Sequence, residues 1–240
     1  MPALSIPEPA RTIVLLGLIL IPVALIAGFV SGEYDAERSR RTRRPFRLAT
    51  SLVLVLCAAL IWLSASRLAD AAGAIFFGMA FSFLGDLILA RVIRAPNRMI
   101  FGMLGFSAGH ISYLIAFATI GQRLGLSNPF TTPPIWMGFV GGAALLWAAF
   151  VYSPRASRVL NLGALIYAGL IGVMAGAATS LAWHERRFWP TALGGLLFLI
   201  SDVLLGNREL RNHPWFLVHD VVWVIYIFGQ ALIVLTTAWI

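Results

Sequence analysis

The chain has 240 residues, 60% of them hydrophobic and only 12% charged, with a formal net charge of +8. A soluble domain carries about 25% charged residues, so this composition excludes an ordinary water-soluble enzyme and points to a polytopic membrane protein. All 18 basic residues are arginine, which excludes a Schiff-base or P-loop lysine, and the positive charge suits loops lying against anionic lipid without any nucleic-acid partner.

Cys57 is the only cysteine and sits in an apolar run. An intrachain disulfide and a multi-cysteine metal site are therefore both excluded. The first apolar run, Ile13–Val30, exceeds the roughly 7–15 residues of a signal-peptide core and has no basic stretch before it, so it reads as a first transmembrane helix.

Eight apolar segments follow one another, over approximately 12–31, 47–66, 71–91, 99–120, 134–152, 159–182, 189–206 and 216–239. Each is close to the roughly 20 residues that a helix needs to cross hydrocarbon. Proline and polar clusters separate them, as in Arg94-Ala95-Pro96-Asn97 and Ser153-Pro154-Arg155. The expected fold is all-α, a single polytopic domain of eight transmembrane helices over 1–240.

The loops after helices 1, 3, 5 and 7 hold thirteen arginines and the other side holds five. The arginine-rich side is expected to be cytoplasmic, which puts both termini outside. The location expected is the bacterial inner (cell) membrane.

Two stretches in this frame match. Ser82-Phe83-Leu84-Gly85-Asp86-Leu87-Ile88-Leu89 lies in helix 3, and Phe198-Leu199-Ile200-Ser201-Asp202-Val203-Leu204-Leu205 lies in helix 7. Each places one aspartate after a small residue and before three aliphatic ones, and each then reaches an arginine, Arg91 or Arg208. A carboxylate in the hydrocarbon costs roughly 2.5–3.5 kcal/mol on insertion scales, so it is placed there rarely and mostly for function. Both helices run outside to inside. Asp86 and Asp202 are thus expected at one depth, roughly 7–9 Å above their arginines, with carboxyls within about 8 Å of each other. The bland alternative is a surface ion pair in each helix, Asp86 with Arg91 and Asp202 with Arg208. The spacing of four helices between the stretches suggests a four-plus-four internal repeat with parallel halves.

Other polar residues gather on single helical faces. Gly78, Ser82 and Gly85 form a small-residue stripe that lets another helix approach. Helix 4 aligns Phe106, His110, Tyr113 and Phe117 at i, i+4, i+7 and i+11. Helix 8 aligns His219, Trp223, Tyr226 and Gln230 in the same way. Such a stripe would be unsatisfied against lipid, so it should face the bundle interior. His219 and Asp220 could equally be solvated at the interface, and Tyr167 in helix 6 is the weakest candidate. The chain has no H-E-x-x-H metal pair. Two carboxylates at one depth suggest acid–base chemistry with one protonated and one ionised.

At these residues the chain resembles the YhhN-like family of lysoplasmalogenases, multi-helix membrane hydrolases. The resemblance rests on Phe81-Ser82-Phe83-Leu84-Gly85-Asp86 with Leu89, on Gly109-His110-x-x-Tyr113, on Ser201-Asp202-x-Leu204-Leu205, and on Tyr226 followed by Gln230. It covers helices 3 to 8. It implies hydrolysis of the vinyl ether of a lysoplasmalogen-type lysophospholipid to a fatty aldehyde and a glycerophospho-alcohol. Asp86 and Asp202 are then the catalytic pair. Ser82, His110, Tyr113, Ser201, Tyr226 and Gln230 would surround the substrate, and Arg91 or Arg208 would hold its phosphate. No cofactor and no metal is implied; the partners are the lysophospholipid and membrane lipid. From another functional class, paired intramembrane carboxylates and parallel halves also describe a proton-coupled lipid or small-molecule transporter, or a lipid-binding protein. A metal-dependent membrane amidase is a third reading.

Overall fold

A computed structural model of the chain describes residues 4–34, 39–65, 67–126 and 132–240. Eight helices long and apolar enough to span a membrane carry these residues. They are α1 (Ala10–Val30), α2 (Arg44–Ser64), α3 (Ala69–Leu89), α4 (Arg98–Arg123), α5 (Pro133–Leu146, widened into a π-turn over Trp147–Val151), α6 (Arg158–His184), α7 (Trp189–Arg211) and α8 (Val218–Val234, with a final 3₁₀ stretch Leu235–Trp239). The architecture is all-α and polytopic.

The sequence explains where several helices begin and end. Pro45, Pro133 and Pro190 stand in the first turns of α2, α5 and α7, where a missing N–H costs nothing. Asn97 caps α4 by accepting from the N–H groups of Met99 and Ile100 at 3.1 and 3.2 Å. The α7 helix runs about one turn past the end expected from its apolar run, to Arg211. Asn212 closes it with left-handed φ of 53°.

Arg91 ends α3 in the same way. Its φ is 58°. Its N–H reaches the carbonyl of Ile88 at 2.9 Å, and the N–H of Val92 reaches that of Leu87 at 2.9 Å. This is the paired hydrogen bonding of a Schellman stop. The backbone therefore turns outward at Arg91, and its side chain lies on the exposed surface.

Sequence neighbours pack as hairpins, α1 with α2, α3 with α4, α5 with α6 and α7 with α8, and α4 also lies against α6. Glycines set the closest approaches. A Cβ on Gly105 of α4 would stand 3.1 Å from Cα of Gly85 on α3, and one on Gly194 of α7 would stand 2.8 Å from the carbonyl oxygen of Gly229 on α8. Without water to drive apolar association, such small-residue contacts are what hold membrane helices together. They bring the two aspartate-bearing helices tight against α4 and α8. The expected four-plus-four internal repeat is not confirmed.

A short two-stranded hairpin, β1 (Glu33–Tyr34) with β2 (Arg40–Arg41), connects α1 to α2. It is tied down onto α8. Arg40 donates its N–H to the carbonyl of Phe216 at 2.7 Å, and Thr42 donates both its N–H and its hydroxyl to Oδ1 of Asp220, at 2.6 and 2.7 Å. Asp220 is therefore buried and hydrogen-bonded, not solvated at the interface as the sequence allowed. Residues 35–38 of the arginine-rich loop, Arg38 among them, lie outside the described residues.

Candidate active site

Asp86 and Asp202 line one cavity near the arginine-rich end of the bundle. Arg41, Arg47, Arg98 and Arg208 line the same cavity, together with Glu209, His219, Trp223 and Tyr226. A second chamber opens between α4, α5, α6 and α7. Its wall is almost wholly apolar, formed by residues such as Met103, Trp147, Val151, Ala164 and Ile171, with Asp202 and Tyr167 as polar exceptions. The two chambers share Leu89, Met99, Phe106, Asp202 and Leu205. Asp202 therefore stands where a cationic compartment meets an apolar one.

Each carboxylate is held by hydroxyls from other helices. Oδ2 of Asp86 accepts from Ser51 Oγ of α2 at 2.5 Å and from the Tyr226 hydroxyl of α8 at 2.9 Å. The phenol of Tyr226 accepts in turn from Gln230 Nε2 at 3.3 Å, and Gln230 Oε1 accepts from the Tyr113 hydroxyl at 2.6 Å. The result is one chain of polar groups crossing from α4 to α2. Oδ2 of Asp202 accepts from the Tyr167 hydroxyl of α6. Ser201 Oγ lies 3.4 Å from Oδ1 of Asp202 but gives its better hydrogen bond to the carbonyl of Phe198 at 2.7 Å. His110 touches this second group, with Nε2 3.4 Å from the Tyr167 hydroxyl. Between the two chains Phe198 packs edge-on against both His110 and Tyr226, at 4.6 and 5.3 Å between ring centres.

These contacts replace the surface ion-pair alternative for Asp86, whose partners are two buried hydroxyls while Arg91 faces outward. Arg91 does not line the cavity; Arg208 does. Of the residues expected around the substrate, Tyr226 lines the cavity directly. His110, Tyr113 and Gln230 are buried behind it. Ser82 turns back on its own helix, donating to the Gly78 carbonyl at 2.9 Å, and its Oγ would meet a Cβ at Gly109 at 2.7 Å. It packs α3 against α4.

Five residues were not singled out or were underrated in the sequence. Tyr167 makes the direct hydrogen bond to Asp202. Ser51 makes the shortest one to Asp86. Arg47 reaches into the cavity with its guanidinium carbon 5.4 Å from the centre of the Trp223 ring, and Thr50 accepts from Trp223 Nε1 at 3.1 Å. Arg98 is paired with Glu209 at 2.6 Å, joining α4 to α7 across the cavity wall. The one available signal was that Thr50 and Ser51 are adjacent hydroxyls within an apolar span, next to a basic residue one turn away.

Among the described residues no three His, Cys, Asp or Glu side chains gather as a metal-binding set. The YhhN family model matches residues 43–237, most of the chain. The chain belongs to the YhhN family. Neither a curated protein nor a solved structure matches it. The matched stretch begins just before α2, so α1 and the hairpin that carries Arg41 lie outside the YhhN match, while both aspartates and every hydroxyl that holds them lie within it.

Proposed function

We propose that the protein is a membrane hydrolase that cleaves the vinyl ether of a lysophospholipid, with Asp86 and Asp202 as its acid–base pair. The observation that carries this is the position of Asp202 at the junction of the two chambers, with Asp86 in the cationic one. A single-chain lipid laid across that junction has its alkenyl chain in the apolar chamber, its phosphate among arginines, and its vinyl ether at the carboxylates.

The chemistry asks for two unlike carboxyl groups. A vinyl ether breaks when its chain-side alkene carbon is protonated, giving an oxocarbenium ion. Water then adds to the cationic carbon, and the hemiacetal collapses to an aldehyde and the glycerol hydroxyl. One carboxylic acid must give the proton and one carboxylate must steady the cation and take a proton from water. Asp202, beside the apolar chamber, is placed for the first role. We assign the second role to Asp86, held on one oxygen by Ser51 and Tyr226 with Arg47 in the same wall. Tyr167 and Tyr226 position the two groups.

The reading is tested by incubating purified protein with a lysoplasmalogen and measuring free aldehyde in H₂O and D₂O. Turnover should be slower in D₂O, because proton transfer to carbon is a slow step. The saturated ether analogue should release nothing. Equal aldehyde release in both solvents would remove carbon protonation from the rate-limiting step. A transporter that uses the same aspartates would release none in either.

The orientation is part of the proposal, with the arginine-rich end and the cavity on the cytoplasmic side and both termini outside. Exposed Arg94 and Arg186 stand at opposite ends of the bundle and serve as labelling positions. On a Cys57→Ala background, an impermeant thiol reagent added to intact cells should label Arg186→Cys and spare Arg94→Cys. The reverse pattern would invert the topology.

A further inference from the structure

We propose that the apolar chamber binds a long-chain aldehyde by its oxygen, and that the indole N–H of Trp147 is the donor. This rests on reading the chamber as the place of the alkenyl chain and adds a residue that grips the cleaved product.

Besides Asp202 itself, the chamber wall offers two side-chain hydrogen-bond donors among the described residues, Tyr167 and Trp147. The Tyr167 hydroxyl is engaged by Oδ2 of Asp202. The indole nitrogen of Trp147 is buried and has no hydrogen-bond partner among the described residues. Tryptophans near helix ends often turn this N–H toward lipid headgroups. Here it is out of reach of the surface, and a buried donor without an acceptor is destabilising until a ligand supplies one.

The surroundings fix the ring. Trp147 opens the π-turn at the end of α5, where the Tyr152 N–H reaches the Trp147 carbonyl at 2.8 Å. Such turns are rare and gather at functional sites. The α7 helix braces this one: Asn207 donates to the Phe150 carbonyl at 2.7 Å, and Arg211 donates to that of Ala149. The indole stands edge-on to Tyr152 with 5.4 Å between ring centres. The α5 and α7 helices run in the same direction, and Val151 fills the space at Gly206, where a Cβ would stand 2.9 Å from Val151 Cγ1. Trp147 and Asp202 lie four residues back from that contact, each on its own helix, so they share about one depth. Seven residues further back on each helix, α6 closes on both. A Cβ on Gly172 would stand 2.9 Å from Cα of Val140, and one on Gly195 would stand 3.0 Å from Cα of Ala175.

A single-chain lipid brings acceptors of unequal strength to this depth. The vinyl ether oxygen shares its lone pair with the alkene and accepts weakly. The oxygen that water adds to the chain, first a hemiacetal hydroxyl and then an aldehyde carbonyl, accepts well. The N–H of Trp147 therefore favours the hydrated and cleaved forms over the substrate.

The test uses the full-length protein with ¹⁵N in its indole nitrogens, followed by NMR. Trp147→Phe, which keeps an aromatic ring and removes the N–H, identifies the Trp147 signal among the eight tryptophans. Tyr152→Leu, which removes the ring beside it, gives the assignment a second way. The probes are hexadecanal and the terminal alkene of equal length, which has no oxygen. Hexadecanal should move the Trp147 N–H proton signal downfield, and the alkene should not. In melting-temperature shifts, Trp147→Phe should bind hexadecanal about fivefold more weakly, the worth of one neutral hydrogen bond, and bind the alkene as before. A Trp147 signal unmoved by hexadecanal, or moved as far by the alkene, would overturn the proposal. Equal weakening of both probes in the variant would do so too, since that marks a packing role. Neither probe carries a vinyl ether, so the result does not depend on turnover. The signal shift in a protein that releases no aldehyde from a lysoplasmalogen would end the hydrolase reading and leave this site standing; aldehyde release with the signal unmoved would do the opposite.

Discussion

Asp86→Asn and Asp202→Asn should each lower aldehyde release by about 10²–10⁴-fold while leaving the protein folded and able to bind lipid. Asparagine keeps the size of aspartate and much of its hydrogen bonding, but it neither donates a carboxylic proton nor carries charge. At position 86 the amide oxygen can still accept from Ser51 and Tyr226, which hold the native side chain at 2.5 and 2.9 Å. At position 202 it can still accept from Tyr167. Folding should therefore survive where chemistry does not. If the pair acts as a unit, the double variant should be scarcely slower than either single one, because groups that act together are grossly non-additive. A purely structural pair predicts another pattern: two independent losses of stability that add, with turnover following the amount of folded protein. Near-normal aldehyde release from both single variants would remove these residues from the site.

Gly109→Val should be strongly damaging although it lies outside the cavity. A Cβ there would lie 2.7 Å from Ser82 Oγ and 2.9 Å from the Gly78 carbonyl oxygen. The second of these is backbone, so α4 must move away from α3. Overpacking of this kind costs typically about 1–3 kcal/mol. The displacement also reaches the chemistry, since Asp86 lies one turn beyond Ser82 and His110 follows Gly109. Melting temperature and aldehyde release should fall together. Gly141→Ala is the matched control, on α5 with nothing within 4 Å of an added Cβ. There the gain in helix propensity makes the change neutral or stabilising by about 0.5–1 kcal/mol. A Gly109→Val protein as stable as the Gly141→Ala one would contradict the close α3–α4 contact on which the site depends.

The helices were legible in the sequence because hydrocarbon thickness imposes a length and a composition that few other segments share. The aspartates were legible for the converse reason: a carboxylate is conspicuous in an apolar run. The groups that hold them were not. A single tyrosine near the middle of α6 gives no periodic signal, and Tyr167 acquires its meaning only when α6 packs against α7. Ser51 reads as one more small residue in α2 until α3 places Asp86 against it. The arginines misled in a particular way. Counted along the chain, Arg41 and Arg47 report topology; folded, they are part of the cavity wall. Arg91 sat at the expected spacing from Asp86, but the left-handed turn that ends α3 swings it outward. That turn is common at glycine, so an arginine there gives no warning in the sequence.

The central claim, that a carboxylic acid of this cavity protonates the alkene carbon of a vinyl ether and that water completes the cleavage, is tested most directly by isotope placement. The purified protein turns over a lysoplasmalogen in D₂O, and separately in water enriched in ¹⁸O, while the aldehyde is trapped by reduction as it forms and analysed by mass spectrometry. The account predicts one deuterium on the carbon next to the carbonyl carbon, ¹⁸O in the aldehyde, and unlabelled oxygen in the released glycerol. Aldehyde without deuterium at that carbon, or ¹⁸O found in the glycerol, would contradict it.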